Sequence, residues 1–170
     1  MSLAKPWFWS AARPHGFCCY AAENCISLGV VISVYATIFK ASGLSLRHPG
    51  SIANASVRYH AITTEYLVKS VVWMSAMDEC AEQPFNITNG DVFRWNYMWP
   101  VIADYFEMDL TQPQWIDMKQ TMADKAGLLS ELAVAHGLRK APYVELVPGG
   151  YWNFIFTPDY DSIPSMTKAL

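Results

Sequence analysis

The chain has little charge. Asp, Glu, Lys and Arg make up 16% of its 170 residues, where an ordinary soluble domain carries about 25%. The formal net charge is −3 and no block of Lys or Arg occurs, so the electrostatic footprint of a nucleic-acid binder is missing. Long apolar runs are missing too. The longest, Cys25 to Phe39, covers 15 residues and includes Ser27, Ser33 and Thr37. A membrane span needs about 18 or more apolar residues, so this run reads as a buried helix and no membrane partner is expected. The opening residues, Met1 to Trp9, contain no signal-peptide core. A cytoplasmic location is therefore expected, with Cys18, Cys19, Cys25 and Cys80 as reduced thiols. The sequons at Asn54 and Asn86 then read as chance matches. Internal repeats and low-complexity linkers are absent.

What is present is apolar and aromatic: 52% hydrophobic residues, 14% aromatic, seven Trp. Such a composition excludes disorder. The length suits one core and not two ordinary domains, so residues 1–170 are expected to form a single region. It also leaves little polar surface, and some apolar faces are expected to meet another surface.

The pattern predicts an α/β chain, mostly helices with a few short strands. Trp7 to Cys19 reads as a strand ending in a loop. Asn24 to Ser42 reads as a helix with Asn24 as N-cap and Gly43 after its end. Leu44 to His48 alternates and meets the Pro49-Gly50 turn. Thr63 opens a helix to about Met77, with Tyr66, Leu67, Ser70, Val71 and Met74 on one face. Phe85 to Thr88 is a short strand closed by Asn89-Gly90. A helix to Phe106 follows; with Asn96 as N-cap, Pro100 falls in its first turn. Ile116 to His136 is helical, broken at Gly127 and stopped by Gly137. Tyr151 to Phe156 is a strand or an aromatic loop, and a last helix starts at Pro164.

Isolated chemistry-bearing residues favour bland roles. His15, Cys18, Cys19 and Cys25 lie close in sequence, but a zinc site needs a second, matching pair. No metal is expected. His60, Glu65 and Asp91 are not brought together by spacing. Glu65 opens a helix, where a carboxylate favours the dipole, and Asp91 follows a turn.

Several segments, taken in order, carry a family likeness: Arg13-Pro14-His15-Gly16; Val34-Tyr35-Ala36; Gly43-Leu44-Ser45-Leu46-Arg47-His48-Pro49-Gly50; Val72-Trp73; Phe85-Asn-Ile-Thr-Asn-Gly-Asp-Val-Phe-Arg-Trp-Asn-Tyr-Met-Trp-Pro100; and Ser165-Met166-x-Lys168-Ala169. Together they resemble the short-chain dehydrogenase/reductases related to progesterone 5β-reductase and iridoid synthase, which reduce activated C=C or C=O bonds with NADPH. The resemblance implies an incomplete extended short-chain reductase fold: the substrate-covering region, truncated at both ends relative to the family and lacking the Rossmann nucleotide-binding half. None of the nine Gly forms G-x-G-x-x-G, the turn that receives a pyrophosphate. No Tyr-x-x-x-Lys occurs either.

By position in the family, vestigial contacts to the nicotinamide end of a cofactor would fall to Pro14, Phe17, Asn24, Cys25 and Ile26. No catalytic residue is assigned, and no cofactor is expected for this chain alone. The function implied is a partial ene- or ketoreductase for a small hydrophobic enone or ketone of secondary metabolism, inactive by itself. Two alternatives stay open: a cofactor-free isomerase, cyclase or small-molecule binder, and an interaction module that self-associates or pairs with another such reductase. Without the nucleotide half, Ile26, Val30, Val31, Val34, Ile38 and Phe39 are expected to leave an exposed apolar patch.

Overall fold

The structure, a computed structural model, describes residues 7–18, 26–139, 141–146 and 150–169. Its strands are β1 (Ser10–Pro14), β2 (Leu46–Arg47), β3 (Arg58–His60), β4 (Gln83–Ile87), β5 (Val92–Arg94) and β6 (Leu110–Thr111). Its helices are α1 (Leu28–Ala41), α2 (Ile52–Ser56), α3 (Thr64–Ala76), α4 (Trp95–Tyr105), α5 (Met118–Thr121), α6 (Ala126–Ala135), α7 (Tyr143–Leu146) and α8 (Tyr151–Phe156), with 3₁₀ turns at Asp78–Cys80 and Thr167–Ala169. The strands make three pairs: β1 with β4 and β2 with β6, both parallel, and β3 with β5, antiparallel. The α/β class, helical with few short strands, is as the sequence predicts.

Two clusters organise these elements. The larger is built on α1, which buries Leu28, Val31, Ile32, Val34, Tyr35, Ala36, Ile38 and Phe39. Trp95 and Trp99 of α4, Trp152, Ile155 and Phe156 of α8, and Met118 and Met122 pack with them. The helix is therefore covered by its own chain. Of the six residues expected to form an exposed patch, only Ile26 is exposed and Val30 half-buried. The aromatic residues of α4 and α8 supply the cover.

The smaller cluster lies under α3: Ile62, Met74, Cys80, Phe85 and Ile87. Here α3 packs on the β1–β4 pair. Of its predicted face only Met74 is fully buried, and Val68, Val71, Val72 and Trp73 remain exposed.

Local chemistry explains the boundaries. Ser27, not Asn24, caps α1, its Oγ accepting the Val30 N–H at 3.3 Å; Asn24 lies outside the described residues. Gly43 follows α1 with φ +68°, a region open to Gly. Thr63, expected to open α3, is its cap, its side chain accepting the Tyr66 N–H. Helix α4 starts at Trp95 rather than after Asn96, because Val92–Arg94 is drawn into β5 by pairing with β3. Pro100 therefore sits inside the helix, past its first turn. The 116–136 stretch breaks between Thr121 and Ala126, and Gly127 lies within α6. Tyr151–Phe156 is a helix, since Trp152, Ile155 and Phe156 share one helical face and bury it on α1. At the C-terminal end a 3₁₀ turn at Thr167–Ala169 replaces the helix expected from Pro164.

Candidate functional site

Segment Arg13–Cys18 leaves the end of β1 and is held on two sides. The Ile62 N–H donates to the Gly16 carbonyl (2.9 Å) and the Cys18 N–H to the Ile62 carbonyl (3.0 Å). On the other side the Leu28 N–H, at the start of α1, donates to the Phe17 carbonyl (2.5 Å). Gly16 has no room for a side chain: a Cβ there would lie 2.8 Å from both Cε1 and the hydroxyl of Tyr59.

Next to it, His15 joins three segments. Its Nδ1 lies 2.9 Å from the His60 carbonyl and its Nε2 2.9 Å from Ser162 Oγ. A carbonyl only accepts, so Nδ1 donates to it, and Nε2 pairs with the Ser162 hydroxyl. His60 Nδ1 lies 3.2 Å from Thr88 Oγ1, and Thr88 in turn donates to Met166 Sδ. Burial, then the neighbouring His15, lowers the pKa of His60; Asp91 opposes them. Tyr59 is buried among these groups, and burial, then Tyr151 and Cys18, raises its hydroxyl pKa.

The segment around residues 158–166 closes over this cluster. The Arg58 N–H donates to Asp161 Oδ1 (2.8 Å), the Ser162 N–H to the Arg58 carbonyl (3.0 Å), and Asn86 Nδ2 to the Ser165 carbonyl (2.9 Å). These bonds draw the Ser165-Met166 motif onto the strand of the Phe85 signature.

The Gly43–Gly50 motif builds a second constellation, away from β1. His48 is buried, its Nε2 2.6 Å from Asn54 Oδ1, and Asn54 Nδ2 donates to the Pro158 carbonyl. Trp95 stacks on the imidazole, and Trp99 and Phe156 meet it edge-on. Burial pushes its pKa down to about 4, with the Asn54 bond opposing, so the ring is neutral at pH 7. Gly50 is obligatory, since a Cβ would come within 2.4 Å of Asn54 Oδ1, 2.6 Å of the Phe156 carbonyl and 2.7 Å of His48 Nε2. The motif therefore knots the core.

Of the site residues read from the sequence, Pro14 is exposed at the end of β1, Phe17 is half-buried between Ile62 and α1, and Ile26 is exposed just before α1. Asn24 and Cys25 lie outside the described residues. Among the described residues no Gly-rich turn offers backbone N–H groups to a pyrophosphate. Asp91 acts on His60, a relation that spacing did not show, whereas Glu65 pairs with Lys69 at 2.6 Å on the exposed face of α3. No group of three His, Cys, Asp or Glu among the described residues could hold a metal ion. None of the described helices is long and apolar enough to cross a membrane. The His15–Ser162 contact spans 147 positions, and nothing in the sequence signals it.

Comparisons place this geometry. The chain is 27% identical over 169 residues to an (S)-8-oxocitronellyl enol synthase of Nepeta racemosa, covering 95% of this chain and 41% of that protein. It is 29% identical over 136 residues to the enzyme of the same name from Antirrhinum majus, covering 76% and 34%. It thus spans less than half the length of these relatives. Among solved structures it resembles a UDP-glucose 4-epimerase of Thermus thermophilus in complex with NAD (9% identity, TM-score 0.42, 86% of this chain and 47% of that one). A second is RMD of Pseudomonas aeruginosa, complexed with NADPH (13% identity, TM-score 0.42, 84% and 47%). The model of the PRISE-like Rossmann-fold domain matches residues 1–170, and the chain belongs to that family.

Proposed function

We propose that these 170 residues are the substrate-covering part of an NADPH-dependent ene- or ketoreductase and transfer no hydride by themselves. The observation that carries this is an asymmetry. The segments that resemble the reductases beyond their nucleotide half are present and folded together, while G-x-G-x-x-G and Tyr-x-x-x-Lys are absent from the sequence. Proton delivery to a developing enolate or alkoxide needs a positioned acid. Burial, then Tyr151 and Cys18, opposes ionisation of Tyr59, the tyrosine beside the Arg13–Cys18 segment. The relatives' name supports a small apolar carbonyl compound as the ligand class. The aromatic content of the region suits such a ligand.

The test is direct. NADPH titrated into the purified chain is expected to bind with a Kd weaker than about 1 mM, with no oxidation of NADPH in the presence of an enone or ketone. A micromolar Kd, or steady turnover with host reductases excluded, would refute the reading. Tight binding of a terpenoid enone without NADPH would move the assignment to a cofactor-free binding protein.

A further inference from the structure

Asn89 and Gly90 turn the chain between β4 and β5, and both are exposed. Gly90 has φ +88°, and nothing lies within 4 Å of where its Cβ would be. When Gly follows Asn, the Gly nitrogen can reach the Asn carboxamide with no side chain in the way, and Asn is among the thermolabile residues. In this turn both reacting groups are engaged. The Gly90 N–H donates to Thr88 Oγ1 at 3.1 Å. Thr88 is buried, and its hydroxyl is itself fixed, 3.2 Å from His60 Nδ1 and donating to Met166 Sδ. The Asn89 side-chain oxygen accepts the Thr63 N–H at 3.1 Å, with Thr63 Oγ1 3.5 Å away. Nucleophile and carboxamide are thus tied to different threonines, one at the end of β4 and one at the start of α3.

We propose that this turn is a modification site, where Asn89 deamidates through a succinimide at a rate set by the hold of Thr63 and Thr88. The Gly90 nitrogen attacks Asn89 Cγ. A C–N bond forms, the Cγ–Nδ2 bond breaks, and ammonia leaves with the proton that Gly90 gives up. Water then opens the ring at either carbonyl, giving an aspartyl or an isoaspartyl residue. Nothing is oxidised or reduced. The two products differ in consequence. An aspartyl side chain keeps an oxygen for the Thr63 N–H and adds negative charge beside the N-terminus of α3, where it is favourable. An isoaspartyl residue lengthens the backbone by a methylene between β4 and β5. It strains the bond from the Asn89 N–H to the Ala61 carbonyl (3.3 Å) and the β3–β5 pair just beyond. The inference does not depend on the redox reading above.

Peptide mapping by mass spectrometry, after incubation of the 170-residue chain at mildly alkaline pH, measures conversion at Asn89. In urea Asn89 should convert. In the folded chain it should convert about tenfold more slowly or slower still, the factor expected for two hydrogen bonds. That ratio should match the protection of the Gly90 amide against deuterium exchange, because both need the same local opening. Thr88→Val removes the acceptor and should speed conversion several-fold, whereas Thr88→Ser keeps the hydroxyl and should not. Absence of conversion in urea overturns the site. Equal rates in the folded chain and in urea overturn the restraint, and so does a folded Thr88→Val chain that converts no faster than the wild type. If Thr88→Val does not fold, the wild-type rate ratio and the Gly90 exchange decide: a ratio unrelated to that protection overturns the restraint.

Discussion

The cluster around α1 and the cluster under α3 use similar residue types and reach different ends. Around α1, apolar residues come from helices on several sides, and α1 itself is almost wholly inside. Under α3, one helix lies on two strands, and its outer face keeps Val68, Val72 and Trp73 in solvent. Composition separates these helices only in part: α3 is the more polar, with Glu65, Lys69 and Ser70, yet it still carries Val68, Val71, Val72 and Trp73. The difference is the number of elements that later parts of the chain bring to each. Cover for α1 comes from α6 and α7, which lie against it, and from the aromatic side chains of α4 and α8, about sixty and a hundred and twenty residues on. Within the described residues α3 receives no such cover. Self-cover is thus a property of one side of the molecule, and among the described residues the other keeps part of its apolar surface in solvent.

The sharpest way to break this comparison is to cut into each cluster. Trp152→Ala removes a fully buried indole that packs against Tyr35 and Phe156, and should cost about 4 kcal/mol. Met74→Ala under α3 should cost about 2 kcal/mol, because its surroundings are thinner and can collapse. Urea unfolding followed by fluorescence measures both, and equal losses would show that the two clusters are packed alike.

A change of pH probes chiefly the larger cluster, through His48. His48 has an ordinary unfolded pKa of about 6.5 and a folded pKa of about 4. Between those values the unfolded chain binds a proton that the folded chain refuses, so stability rises with pH across this window. It is fully present above about pH 6.5 and falls by about 3 kcal/mol as pH drops to 4. His60, with its pKa lowered mainly by burial, adds to the same trend. NMR titration of the His48 ring is the discriminating measurement: a midpoint near 6.5 would mean that its aromatic enclosure is open to water.

The smallest expected effect lies on the outer face of α3. Val72 is 61% exposed, so Val72→Gln should change stability by no more than about 0.5 kcal/mol while reducing binding of a hydrophobic dye. A loss above about 1 kcal/mol would show that this face is covered in the free protein and would erase the contrast between the clusters.

Local signals were legible where a residue acts through its own backbone. Thr63 as a cap, Gly43 and Gly137 at positive φ, the strand before Asn89-Gly90 and the Pro49-Gly50 turn all follow from side-chain chemistry within a few positions. So did the class of the fold, because periodicity and capping are local. The family was readable as well, since ordered motifs survive as text. Packing and the site were not. Whether α1 is exposed depends on where Trp95, Trp99, Trp152 and Phe156 return in space, and no local window holds that information. The aromatic stretch Tyr151–Phe156 became a helix because α1 offered a surface for Trp152, Ile155 and Phe156. His15 gained Ser162, and His48 gained its aromatic walls, through contacts between distant segments. The sequence by itself determined the locally capped elements and the family. Only the tertiary structure decided which apolar faces are core and which histidines are held, because burial and hydrogen-bond partnership depend on long-range chain return.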